Sequence, residues 1–295
     1  MSLTQFLKKY LMYLGILMGT FLPRWFCLIL AKIIGYCCFL LMKNQKRRMM
    51  NNYFYTFGKE ISERKARELT KKLFINLAIC VADFLKSPNY KNRHFFSLIE
   101  NQVSNDFFCD AKTRKLILAT LHLGNWELGG ITLSRMGLNF SCLIEVLPFG
   151  ISKVFNWLRE KGRLKPIPYN SPKEIIDSLK NGYNLAILSD RSLNRQGLIL
   201  PFGKGKRIFP KGSAFLAQKY KIPLYFGYLV LKEDSKKYLM IGEKIKTNYK
   251  NDEDFEKEVE KLTKIIAEKI EKVVIRYPTQ WFVFQGDFLN EKEKD

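Results

Sequence analysis

Six consecutive residues, His122-Leu123-Gly124-Asn125-Trp126-Glu127, carry the side chains best suited to chemistry in this chain. Only two histidines occur in 295 residues, so His122 is a scarce base. The apolar run Leu116 to Leu121 precedes it and reads as a buried strand; the residues after it read as a helix. A base at a strand-to-helix turn, with a carboxylate five residues on, can deprotonate a hydroxyl. Glu127 would hold the imidazole in one tautomer and stabilise the imidazolium that forms. The competing assignment is a histidine satisfied within the packing. Gly124 and Asn125 weigh against it, because they suit an exposed turn better than a packed helix face.

The positioning elements follow from periodicity and punctuation. Strands are expected at 115–121, 141–147, 185–189, 224–231 and 238–245. Helices are expected from Glu63 to about Leu85, capped by Ser62, and at 126–136, 154–161, 212–220 and 254–277. Ser171-Pro172-Lys173-Glu174 has the form of a capped helix start, and Asn181-Gly182 the form of its stop. Alternating strands and helices argue an α/β fold, with a mixed, largely parallel sheet flanked by helices. In such sheets, sites lie beyond the carboxyl ends of strands. His122 and Asp190 each sit just after a predicted strand.

Charge narrows the function classes. A net charge of +22 suits nucleic acid, a membrane surface or an acidic protein partner. No zinc-finger spacing and no RNA-binding signature occurs, which disfavours nucleic acid. Anionic lipid head groups attract each nearby basic residue by about 1 kcal/mol. The six cysteines have no metal or redox spacing and read as reduced, mostly buried thiols of a cytosol-facing protein, with no metal site expected.

Two apolar runs open the chain, Leu11 to Leu22 and Trp25 to Met42, separated by Pro23-Arg24. Lys8 and Lys9 precede them; Lys43, Lys46, Arg47 and Arg48 follow. Each run is marginal for a span of about 20 residues. The basic collar and Trp25 favour a membrane anchor over a buried helix pair. The anchor would dip in as a hairpin, lie in the interface or span once. Residues 1–48 therefore read as a membrane-associated helical segment and 49–295 as the catalytic domain.

The order and spacing of several short blocks resemble the late acyltransferases of lipid A biosynthesis, the lauroyl/myristoyl transferase family. The blocks are Lys46-Arg47-Arg48 leading to Asn52, His122 to Glu127, Gly162-Arg163, Leu185 to Asp190, Pro201-Phe202-Gly203, Gly212 to Ala217 and Pro278-Thr279-Gln280-Trp281. The His-four residues-Glu spacing is the close cousin of the His-four residues-Asp motif of glycerolipid acyltransferases. The resemblance implies a glycerolipid-acyltransferase-like domain at the cytoplasmic face of a Gram-negative inner membrane. It implies transfer of a fatty acyl chain from acyl carrier protein to a hydroxyl of a lipid A precursor, with no metal or redox cofactor.

His122 and Glu127 would be catalytic. Arg163 matches a functional arginine of the family, with Arg159 the alternative match. Asp190 matches the first acid of a block that often reads Asp-x-Asp; here Ser192 holds the second place, so any role of that position is in doubt. Lys204, Lys206 and Arg207 are candidates for acceptor phosphates or an acidic carrier, with Lys211 beside them and Gly212-Ser213 opening a helix. The oxyanion would be met by backbone N–H groups of the His122 turn or by a nearby cation. Trp281 reads as packing. The rivals are acylation of another lipid, such as a lysophospholipid or glycolipid, and a non-catalytic basic module that binds membranes.

Overall fold

Unbroken apolar runs cannot serve a sheet that faces water on one side, and the central strands here are such runs. In the computed structural model, which describes residues 13–146, 151–249, 254–285, 288 and 289, β2 (Ile117–Thr120) and β5 (Asn184–Leu188) lie side by side in parallel. Around them the sheet is completed by β1 (Ile99–Val103), β3 (Phe140–Ile144), β4 (Lys165–Pro168), β8 (Leu224–Leu231) and β9 (Tyr238–Ile245). The spatial order is β1-β9-β8-β2-β5-β3-β4, and only the β8–β9 pair is antiparallel. A separate hairpin pairs β6 (Leu198–Phe202) with β7 (Gly205–Phe209). The expected α/β class, with a largely parallel sheet flanked by helices, is the one observed.

Alternation along the strands divides the core in two. Leu118, Ala186, Tyr225, Leu229 and Met240 face one layer of helices. That layer holds α1 (Arg24–Leu41), α2 (Lys43–Phe57), α3 (Glu63–Lys86), α4 (Asn92–Ser97), α5 (Asn105–Thr113), α6 (Trp126–Arg135) and α7 (Ile151–Lys161). Ile117, Ala119, Leu185, Ile187 and Phe226 face the other. There lie α8 (Pro172–Lys180), α9 (Gly212–Tyr220) and α10 (Phe255–Arg276).

Several expectations need correction. The Ser171 side chain makes no capping bond, although Pro172 and Gly182, at φ 79°, mark α8 as expected. Ser62 does cap α3, accepting from the Lys65 N–H at 3.2 Å. Of the cysteines only Cys80 is buried; Cys37 and Cys109 are exposed. Strands β1, β4, β6 and β7 are additional to those expected: β1 is polar (Ile-Glu-Asn-Gln-Val) and β4 carries two prolines, as suits edge strands, while the apolar β6 (Leu-Ile-Leu-Pro-Phe) is interrupted by Pro201. Residues 48 and 49 both lie within α2. Residues 13–21 are helical and precede α1, while Lys8 and Lys9 lie outside the described residues.

Candidate active site

Parallel pairing of β2 with β5 puts Thr120 opposite Leu188, so the residues two places further on, His122 and Asp190, emerge together. Asp190 is fully buried and accepts three hydrogen bonds. Its Oδ1 faces His122 Nδ1 at 2.8 Å. Its Oδ2 accepts from the His122 backbone N–H at 3.0 Å and from the Trp281 indole N–H at 2.9 Å. Burial pushes this carboxyl group up, but the charge and hydrogen bond of His122, the indole and the backbone N–H outweigh it and hold Asp190 below the usual carboxylate range. An ionised acceptor at Nδ1 places the proton there and leaves the Nε2 lone pair free.

This corrects the assignment of Glu127. The carboxylate that orients His122 is Asp190. Glu127, in the first turn of α6, instead receives a two-pronged pair from Arg159 of α7: Nε to Oε2 at 2.8 Å and Nη2 to Oε1 at 2.5 Å. Asn156 Oδ1 accepts from the same guanidinium at 2.8 Å. Burial works against the charge of Arg159, but Glu127 more than restores it and raises its pKa. Both side chains line the cavity that His122 also lines, so Glu127 and Arg159 stay beside the base while acting as a unit of their own.

The turn is buried, where an exposed one was expected. Gly124 has φ 60°, and a Cβ there would lie 2.0 Å from the Leu229 carbonyl oxygen, so only glycine fits. Asn125 caps α6 by accepting from the Leu128 N–H, and its amide donates to the Cys80 carbonyl and the Tyr238 hydroxyl. The N–H groups from His122 to Asn125 are committed to Asp190, Leu121, Gln280 and Leu229 in turn. None of these four can therefore meet an oxyanion. Arg159 is a cation that lines the cavity.

The cavity has a volume of about 480 Å³ and runs between the sheet and helices α6 and α7. Leu118, Ala186, Cys142, Leu229, Met240 and Leu133 give it an apolar wall. Loss of solvation in the half-buried wall pushes the Cys142 thiol up to about 12, so it lines the wall as a neutral group and not as a thiolate. Two adjacent glycines of α6 serve different ends. Gly130 lets the helix approach Leu164, whose Cδ2 would be 2.7 Å from a Cβ. Gly129 meets only Leu229 Cβ at 3.4 Å, and the room it leaves belongs to the cavity.

Of the other predicted residues, Arg159 enters the cavity and Arg163 does not: it is exposed, in a left-handed turn at φ 65°. Lys204 and Lys206 are exposed on the β6–β7 hairpin and do not line the cavity. Arg207 is fully buried, so it supports the site from behind. Its guanidinium lies 4.8 Å from the Trp281 ring centroid and donates to the Asp190 carbonyl at 3.2 Å. Lys211 pairs with Glu256 and Glu260 of α10, and Gly212, not Ser213, reaches the cavity.

Two functional groups escaped the sequence reading. Trp281 does more than pack, since its N–H donates to the Asp190 carboxylate; Pro-Thr-Gln-Trp gave its only signal. Arg191, next to Asp190, lines the cavity and pairs with Glu145 at 3.2 Å.

A half-buried base held by a buried carboxylate opens on an apolar cavity beside a cation, an arrangement suited to taking a proton off a hydroxyl next to a hydrocarbon chain. That is the class of the acyltransferases. The chain belongs to the bacterial lipid A biosynthesis acyltransferases, whose family model matches residues 2–290. No curated protein matches the chain closely enough to be set beside it. Membership makes this a lipid A acyltransferase, and lipid A biosynthesis places its work at the inner membrane.

Proposed function

We propose that the enzyme transfers a lauroyl-type acyl chain from acyl carrier protein to a hydroxyl of a Kdo-bearing lipid A precursor. The product is an acyloxyacyl ester, formed at the cytoplasmic face of the inner membrane. The observation that carries this reading is the His122–Asp190 pair at an apolar cavity of about 480 Å³.

His122 Nε2 takes the proton of the acceptor hydroxyl as its oxygen attacks the thioester carbonyl. Asp190 stabilises the imidazolium. Arg159, held rigid by Glu127, meets the charge that develops on the carbonyl oxygen. The tetrahedral intermediate then expels the phosphopantetheine thiolate of the carrier, which regains a proton from His122. Atoms and charge balance with no metal or redox cofactor. The acyl chain occupies the apolar cavity, and Gly129 keeps its path open. Arg191 faces the acidic sugars or phosphates of the acceptor. Residues 1–48 seat the enzyme on the membrane and 49–295 carry the catalysis.

The test uses detergent-solubilised membranes, free of the host's own enzyme, with wild-type protein or His122→Ala. Each receives acyl carrier protein loaded with lauroyl chains and a tetra-acylated lipid A precursor bearing Kdo, and the product is read by mass. The wild type adds one acyl chain; the variant falls by roughly 100- to 10,000-fold. Equal product from both removes His122 as the base. No product from folded wild type overturns the donor or acceptor, and a lysophospholipid acceptor then distinguishes the rival reading.

A further inference from the structure

Helix α1 is apolar nearly all round, yet it is fastened to the protein along its whole length. At its start, Arg24 makes a two-pronged pair with the buried Asp83 of α3, at 2.9 and 2.8 Å. The same guanidinium donates to the carbonyls of Ser235 and Lys236, in the turn between β8 and β9. Midway, α1 crosses α3 so closely that a Cβ on Gly35 would lie 2.7 Å from Ile75 Cα. Near its end Phe39 packs on Phe74, with Lys46 over its ring. The preceding residues are tied as well: Lys86 donates to the carbonyls of Gly19 and Leu22.

Both ends therefore meet charged, solvated protein. The β8–β9 turn reads Lys232-Glu233-Asp234-Ser235-Lys236-Lys237, with every residue but Ser235 exposed. The other end runs into Lys43, Arg47 and Arg48, also exposed. Neither end can be placed at the centre of a bilayer without taking these charges there. Eighteen residues at 1.5 Å each make a helix of about 27 Å, at the lower end of what spans a hydrocarbon core of about 30 Å. A spanning α1 would in addition draw α3 into the membrane, with Lys71 and Lys72, both exposed.

What α1 does offer the lipid is a lengthwise face. Trp25, Ile29, Ile33, Tyr36 and Leu40 form one exposed stripe, about a third of a turn round the helix from the buried Ala31, Gly35 and Phe39. No charged side chain interrupts that stripe. Lys32 stands at its border, where a long side chain can reach the head groups while its stem lies on the apolar surface.

We infer that α1 lies in the plane of the membrane, its exposed stripe sunk to the boundary between head groups and acyl chains of an anionic bilayer. The occupant of this face is lipid, favoured by the uncharged stripe and by the cationic cluster Lys43, Arg47 and Arg48 at its end. The inference rests on the membrane seat proposed above and selects the in-plane arrangement over a hairpin or a span.

The experiment replaces Trp25, Ile33 or Leu40 in turn by an environment-sensitive fluorescent amino acid in the full chain. All three positions are exposed, so the fold should tolerate the change. Each protein is bound to phosphatidylethanolamine–phosphatidylglycerol vesicles carrying a quencher at the head group or at mid-chain. The expected result is one shallow depth shared by all three positions. A gradient of depth along the helix, with one position near the midplane, overturns the in-plane inference and leaves membrane association standing. Absence of quenching at every position overturns both.

Discussion

Replacing Asp190 by Asn separates the two carboxylates near His122. Asp190 receives three donors: His122 Nδ1–H, the His122 backbone N–H and the Trp281 indole N–H. An asparagine in the same place has one oxygen and an NH2 group. If the oxygen takes Nδ1–H, the NH2 points at two other donors, and leaving both unsatisfied costs roughly 2–6 kcal/mol at about 1–3 kcal/mol each. If the amide turns round, its NH2 donates to Nδ1, and the proton of the imidazole moves to Nε2. The ring then has no lone pair facing the hydroxyl. Loss of the right tautomer in a His–carboxylate pair lowers kcat by about 10,000-fold, so a fall of roughly 1,000- to 10,000-fold is expected for Asp190→Asn. The assay is acyl transfer read by mass, below the thermal midpoint of the variant, with circular dichroism confirming the fold. Glu127→Gln serves as the counterpart: it leaves the imidazole in place and disturbs the Arg159 pair. Should Asp190→Asn retain activity within about tenfold of wild type while Glu127→Gln abolishes it, Glu127 would be the orienting residue and the argument from geometry would fail.

Trp281→Phe preserves a ring against Arg207 but removes the indole donor to Asp190; a hydrogen bond to a charged group contributes about 1.5–3 kcal/mol, so thermal unfolding should register a loss of that size together with slower transfer. Gly129→Val fills the room beside Leu229 and should shift donor preference toward shorter acyl chains, measured by competition between donors of different length; an unchanged preference would place the acyl chain elsewhere. Acid should destabilise the enzyme. Asp190 and Asp110 both have depressed pKa values, Asp110 because Lys244 and Tyr225 outweigh its burial. Their contribution is complete above the unfolded value of about 3.9 and is lost as pH falls through the lower folded values. Denaturant titrations from pH 5 downward should show this slope, and Asp190→Asn should flatten part of it.

Much of the site could be read before any fold was known, and what could not has a clear cause. His122 was marked by scarcity and by its place after a strand. Asp190 was marked by the same placement. Their partnership was hidden because 68 residues separate them and only the adjacency of β2 and β5 brings them together. Five residues from His122, Glu127 looked the nearer partner. A helix start intervenes, however, and turns its carboxylate toward α7, where Arg159 waits 32 residues away. Arg159 and Arg163 lie four apart near the end of α7, and sequence alone could not say that the left-handed turn after the helix carries the second outward. The helices and long strands announced themselves by periodicity. The short polar edge strands did not, because their register is imposed by neighbours and not by their own side chains.

The short stretch from Pro278 to Val283 closes the site like a keystone. Gln280 pairs through both side-chain atoms with the Leu231 backbone and lends its carbonyl to Gly124; Trp281 fixes Asp190; the Phe282 N–H holds the His122 carbonyl. All four partners are synthesised well before it. The growing chain can thus pair β2 with β5 before the bonds from residues 280–282 exist, and the last hydrogen bonds that fix His122 and Asp190 form only when those residues arrive.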